Sequence, residues 1–150
     1  MRTIKREIAS ALIFSNEGKL LQVKNAEPKH GVYLDAWGIP GGGIEEGESA
    51  EEAMIREVME EIGLDVSSYP KELVWTGTGQ SQRTLKTTGE EVIVEMIFNN
   101  YRVQLDRAAK DVQLIPSEEH KEFLWADKEE LKRLNLSQPS VECLTELGYL

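Results

Sequence analysis

Apolar and polar positions along the chain change period several times, and each change marks a different element. In "REIASALIFS" the aliphatic residues are too dense for a strand with one wet face, and "GKLLQVKN" follows the turn "SNEG". Glu7 to Val23 therefore reads as a β-hairpin. The next segment, "AEPKHGVYLDAWGIPGGG", is punctuated by Gly and Pro and predicts a long connection with a short strand near Ala36 to Ile39. From Ser49 to Ile62 the period becomes helical. Ser49 is placed to cap, Glu52 completes a capping box three residues on, and Gly63 can end the helix.

Beyond the helix, "KELVWTGTG" and "EEVIVEMIFNNYRV" predict two strands, with the polar "QSQRTLKTTG" between them as an exposed turn or flexible loop. A short strand is expected in "EFLWA". Two short helices are expected in "DKEELKRLN" and "SVECLTELGYL", capped at Asp127 and Ser140. Strands, a helix, strands and then helices predict an α+β fold, a sandwich around a mixed sheet. No repeat or interdomain linker is visible, and 150 residues suit one domain, 1–150.

Charge changes this picture. The chain carries a formal net charge of −10, with no cluster of Lys and Arg to engage a phosphate backbone, which argues against duplex nucleic acid as a partner. It would argue against any phosphate substrate unless a bound divalent cation reverses the local sign. Its apolar runs fall short of the roughly 18 residues that suggest a membrane span, and "MRTIKREI" has no signal-peptide core. No membrane partner and a cytoplasmic location are expected. The lone Cys143 permits no intrachain disulfide and reads as a small buried thiol.

Negative charge concentrates in "GGGIEEGESAEEAMIREVMEEIGL". Glu57, Glu60 and Glu61 stand at i, i+3 and i+4 and share an arc of roughly 100°. Like charges at that spacing repel unless a cation compensates them, and an all-oxygen set suits Mg²⁺ or Mn²⁺ better than zinc. Ala50 and Ala53 lie on that side and leave room for a ligand or for close packing. The opposite arc of Ile55, Val58, Met59 and Ile62 is expected in the core. A glutamate run alone is commonly a solvated face. Here, however, Gly42, five residues, Glu48, seven residues and "REVMEEIGL" fill every specified position of the Nudix box, G-x5-E-x7-R-E-U-x-E-E-x-G-U with U aliphatic. With ordinary residue frequencies, a chance match is on the order of one in ten million.

The chain thus resembles the Nudix hydrolases. The resemblance implies an α/β/α sandwich and Mg²⁺- or Mn²⁺-dependent hydrolysis of a nucleoside diphosphate linked to another moiety. It implies Glu57, Glu60 and Glu61 as metal ligands, joined by the Gly41 carbonyl. Arg56 would pair with Glu48 and Glu60 to hold the box in register, while Gly42 and Gly43 would let the backbone approach the helix. Water would attack phosphorus with a carboxylate as base, either Glu57 or a residue outside the box. In "SEEHKEFLW", which resembles the corresponding family loop, Glu119 is favoured over Glu118 and Glu122.

Other assignments rest on residue type. Trp37 and Tyr33 precede the glycines and suit stacking on a base, or equally a rim of the core. Arg83 and Lys86 are candidates for substrate phosphate, and Lys5 and Arg6 are of the same kind; each is otherwise a solubilising cation. His30 and His120 read as surface histidines with proton transfer as the alternative. The region after the box, "TGTGQSQRT", has neither the proline of many ADP-ribose hydrolases nor the tyrosine of many dinucleoside polyphosphate hydrolases. The leading expectation is a (deoxy)nucleoside triphosphate pyrophosphohydrolase. Alternatives are a hydrolase of a nucleotide sugar, ADP-ribose or dinucleoside polyphosphate, and a non-catalytic nucleotide sensor. A related isomerase would need a catalytic cysteine, which a helical Cys143 near the C-terminus does not suit. Partners are a small nucleotide and, as in many family members, a second copy forming a homodimer.

Overall fold

A computed structural model describes residues 1–25, 35–118 and 120–150, with only the backbone of Asn25, His120 and Lys121. Among them the chain runs β1 (Arg2–Phe14), β2 (Leu20–Asn25), β3 (Trp37–Gly38), β4 (Gly41–Gly43), α1 (Ala50–Ile62), β5 (Lys71–Thr84), β6 (Glu91–Gln104), a 3-10 turn (Ala109–Asp111), β7 (His120–Ala126), α2 (Lys128–Leu131) and α3 (Gln138–Glu146).

The strands form one mixed sheet in the order β3-β2-β1-β6-β5, with β4 added beside β1 and β7 beside β2. Its spine is β1, parallel to β6 from Arg2↔Val92 to Phe14↔Gln104. Alternation sends Ala9, Ala11 and Ile13 to one face, where they pack with Met54, Val58 and Ile62 of α1. Leu12 and Phe14 turn to the other face, with Leu131 of α2 and Cys143 and Leu144 of α3. Both faces are covered, which is why Ala9 to Phe14 is buried without interruption and is apolar at every position but Ser10. This is the α+β sandwich expected.

Several local expectations need correction. The first strand starts at Arg2, not Glu7, and β1 and β2 pair only at Phe14↔Leu20. Beyond that pair β1 takes β4 as its neighbour instead, through Ser10↔Gly41, Ala9↔Gly42 and Ile8↔Gly43. A three-glycine strand is invisible to side-chain pattern. Likewise Gln80 to Thr84 continue β5, because β6 supplies a paired edge as far as Thr84↔Glu91. Asp127 caps α2 as predicted, but α3 begins at Gln138 after Ser137, which makes no side-chain cap bond, and Ser140 lies inside the helix. The two ends of helix α1 meet their expectations: Ser49 and Glu52 form the reciprocal capping box, and Gly63 closes the helix at φ 69°. Met59, expected in the core, is 52% exposed, while Met54 is fully buried.

Candidate active site

Strand β4 brings the box helix and the sheet together. Antiparallel pairing engages alternate residues. Ala11 N–H donates to the Pro40 carbonyl at 2.9 Å and Ile44 N–H to the Glu7 carbonyl at 3.0 Å, so Gly42 is the strand residue turned toward β1. Gly41 and Gly43 direct their backbone groups to the open edge. There Gly41 N–H donates to Glu61 Oε2 at 2.8 Å, and the Gly43 carbonyl accepts from Arg56 Nη2 at 3.0 Å. The Gly41 carbonyl points to the same edge by the same alternation.

The glycines are sterically required. A Cβ on Gly42 would collide with the Glu57 carboxylate, and one on Gly41 with Ser10. Gly43 differs from expectation: its missing side chain faces Arg6, not the helix.

Arg56 organises the carboxylates. Its Nε and Nη2 donate to the two oxygens of Glu48 at 2.7 and 3.0 Å, a bidentate pair, and its Nη1 reaches Glu57 at 3.0 Å and Glu60 at 3.3 Å. The fork of hydrogen bonds and the Glu45 amide hold the Glu48 carboxyl down at about 2, and the same pair raises the arginine. Arg56 thus links the loop at Glu48, the helix and the β4 backbone. It engages Glu57 as well as the predicted Glu48 and Glu60.

Glu57, Glu60 and Glu61 line a cleft of about 220 Å³ together with Ser117 and Glu118. Glu61 is nearly buried, 6% exposed, whereas the Glu60 side chain is 59% exposed. Among the described residues no three acidic, histidine or cysteine side chains are gathered closely enough to hold a metal ion. Arg56 draws Glu57 and Glu60 while the Gly41 amide draws Glu61. The donors on this edge are nonetheless all oxygen, carboxylates with a backbone carbonyl beside them. That chemistry fits Mg²⁺ or Mn²⁺.

A model of the NUDIX domain matches residues 4–147. The chain belongs to the Nudix family. Nucleoside triphosphatase NudI of Escherichia coli O81 (strain ED1a) is 30% identical over 146 residues, spanning 97% of this chain and 99% of the relative. Among solved structures, the E. coli dihydroneopterin triphosphate pyrophosphohydrolase has a TM-score of 0.71 at 20% identity, covering 93% of this chain and 92% of that chain. The NUDIX domain of Shewanella oneidensis NrtR, complexed with ADP ribose, also has a TM-score of 0.71, at 17% identity with 96% and 86% covered. At those identities the structures speak to the fold. Family membership and the NudI relatives together make this protein a Nudix hydrolase, an enzyme of phosphoanhydride bonds.

The remaining candidates scatter. Trp37 is half-buried in β3, held by Asn135 and Ser137 backbone groups, with the Lys24 ammonium 5.5 Å over its ring. Arg83 pairs with Val92, which pairs with Arg2, six residues along β1 from the level of Gly43. At about 3.3 Å per residue that is about 20 Å from the box, and the structure does not bring Arg83 to the carboxylates. Lys86 lies in the turn beyond it, and Glu122 is exposed on β7 opposite Lys24. Glu119, Tyr33 and His30 lie outside the described residues, as does the His120 side chain. Of the two roles expected for Ala50 and Ala53, room for a ligand or close packing, the structure shows packing: Ala53 is fully buried in the core, and Ala50 packs against that core. Sequence reasoning missed Ser117, whose only signal was its place before the acidic run. It also gave no special place to the contact of Arg6 with Gly43. Among the described residues, no helix is long and apolar enough to cross a membrane.

Proposed function

We propose that the protein is a (deoxy)nucleoside triphosphate pyrophosphohydrolase, its activity carried by one domain, 1–150. The observation behind this reading is the complete Nudix box folded so that Glu57, Glu60 and Glu61 share the wall of one cleft. The kinship with a relative named nucleoside triphosphatase supports a triphosphate over the other nucleoside diphosphate derivatives.

Glu57, Glu60, Glu61 and the Gly41 carbonyl would hold Mg²⁺ or Mn²⁺. A divalent ion there supplies charge neutralisation at the diphosphate oxygens and acidifies the attacking water. The chain's own part is positional. Arg56 and Glu48 fix the helix against the glycine strand, and the Gly41 amide orients Glu61. Glu119 takes the proton as water adds to phosphorus, with Glu57 as the other candidate base. The bridging P–O bond between the α and β phosphorus atoms breaks, so triphosphate and water become nucleoside monophosphate and pyrophosphate.

The test is a substrate panel of nucleoside triphosphates, ADP-ribose, dinucleoside polyphosphates and nucleotide sugars. It is assayed with Mg²⁺ and with Mn²⁺, and the products are read by phosphorus NMR. The expected result is release of pyrophosphate from a triphosphate with the highest kcat/KM. Preferential cleavage of ADP-ribose or a nucleotide sugar would move the substrate assignment to that class, and a flat panel would sink the reading.

A further inference from the structure

Two arginines meet Gly43 in different ways. Arg56 is engaged on every nitrogen, bonded to Glu48, Glu57, Glu60 and the Gly43 carbonyl. Arg6, on β1 and level with Met96 of β6, sets its guanidinium where a Gly43 side chain would be, with Nη2 and Nε 3.1 and 3.2 Å from an added Cβ. It is exposed, and among the described residues no carboxylate pairs with it. Of the other exposed arginines, Arg2 and Arg107 have acidic partners, Glu90 and Asp106, whereas Arg133, which follows α2, has none among the described residues. In a chain of net charge −10, an arginine without a carboxylate beside the box strand is a feature that needs a reason.

Strand alternation supplies the geometry. The side-chain position of Gly42 faces Glu57 and α1, whereas those of Gly41 and Gly43 face Ser10 and Arg6 on the other side of the sheet. Arg6 and the carboxylates therefore flank β4 from opposite faces, one residue apart along it, at about 3.3 Å per residue. An anion lying across the outer edge of β4 meets the carboxylate cleft at one end and the guanidinium at the other. A planar fork of donors fits phosphate oxygens.

We propose that Arg6 is a substrate-binding residue, gripping the part of the polyphosphate that extends past β4, away from the carboxylates. The proposal rests on the triphosphate reading above. Gly43 leaves the space in which the guanidinium lies. Because Arg6 touches none of Glu57, Glu60 or Glu61 in the contacts above, its work is binding and not the orientation of those groups.

The experiment compares wild type, Arg6→Ala and Arg6→Lys on the best triphosphate of the panel. A methylene-bridged, non-hydrolysable triphosphate titrated by calorimetry with Mg²⁺ gives a readout apart from turnover. Arg6→Ala should raise KM and the analogue's Kd on the order of tenfold to a hundredfold, as loss of one charge-assisted contact predicts, with kcat changed less than about twofold. Arg6→Lys should recover part of the loss. Rising ionic strength should shrink the gap between wild type and Arg6→Ala, since the site is exposed. Mn²⁺ affinity without nucleotide and the thermal midpoint should not move. Unchanged KM and Kd in Arg6→Ala would overturn the proposal, and so would a matching fall in Mn²⁺ affinity. A wild type that hydrolyses nothing is the failure of the functional reading, and a wild type that turns over while Arg6→Ala matches it is the failure of this inference alone.

Discussion

The box helix and the β5–β6 hairpin are both long ordered elements, yet they are stabilised in opposite ways. Helix α1 is specified at each end by its own residues. Ser49 and Glu52 exchange two hydrogen bonds of 3.1 Å, and Gly63 adopts the left-handed turn that ends it. Along β5, Thr76 to Gln82 is small or polar and has no large apolar side chain to bury. It is held by pairing with β6, which pairs in turn with β1, and by Trp75, whose ring lies over Gly77 and whose indole N–H donates to Glu146 of α3. The proposed chemistry is built on the element whose shape is locally encoded. Precise side-chain placement favours that arrangement, since a helix with satisfied ends does not depend on distant pairing to set its carboxylates in register.

This contrast can be broken at its strongest point by removing the Trp75 ring. Trp75 is 8% exposed, so Trp75→Ala should cost about 3 kcal/mol of stability or more in denaturant unfolding. The kcat of the surviving folded fraction should stay near wild type. A loss of activity in excess of the loss of folded protein would show that hairpin and box are not separable.

The complementary change is Glu61→Gln. It keeps an oxygen for the Gly41 amide but removes the charge. Activity should fall about a hundredfold or more, if the carboxylate holds the divalent ion as proposed, with little change in thermal midpoint. Full activity in that variant would end the assignment of Glu61.

A smaller effect belongs to the cap. Ser49→Ala removes one half of the capping box and should lower stability by about 1 kcal/mol. It should leave KM unchanged, because Arg56 and the Gly41 contact still hold the helix to β4. A shift in divalent-ion requirement would mean that the helix end also sets the site.

The smallest expected effect is a pH dependence. Glu48 is depressed to about 2, chiefly by the Arg56 hydrogen bonds. The folded carboxyl has the lower pKa, so its contribution is complete above the unfolded value near 4.3 and is lost as pH falls from there toward 2. Stability measured across that window should decline less steeply in Glu48→Gln than in wild type. Parallel slopes would show that the pair contributes nothing to acid sensitivity.

Read as sequence, the box disclosed its helix, its caps and the three carboxylates of one helix arc, while the Arg56–Glu48 pair was implied by the family resemblance alone. Spacing along a helix fixes angular position within a few residues, so local pattern is sufficient there. The buried run Ala9 to Phe14 likewise announced a strand covered on both faces. Tertiary structure alone decided the rest. Gly41–Gly43 became a strand because β1 offered a free edge, and Gln80–Thr84 became strand because β6 did. Met54 is buried and Met59 is not, an arc choice that depends on how the helix is rotated against the sheet. Arg83 was carried away from the box and Arg6 brought against Gly43, although nothing in either residue's neighbourhood along the chain distinguishes them. Helix geometry is written in contacts of three and four residues, whereas strand partners are chosen across about ninety, as Arg6 and Met96 are, so the first is legible in one sequence and the second only in the folded chain.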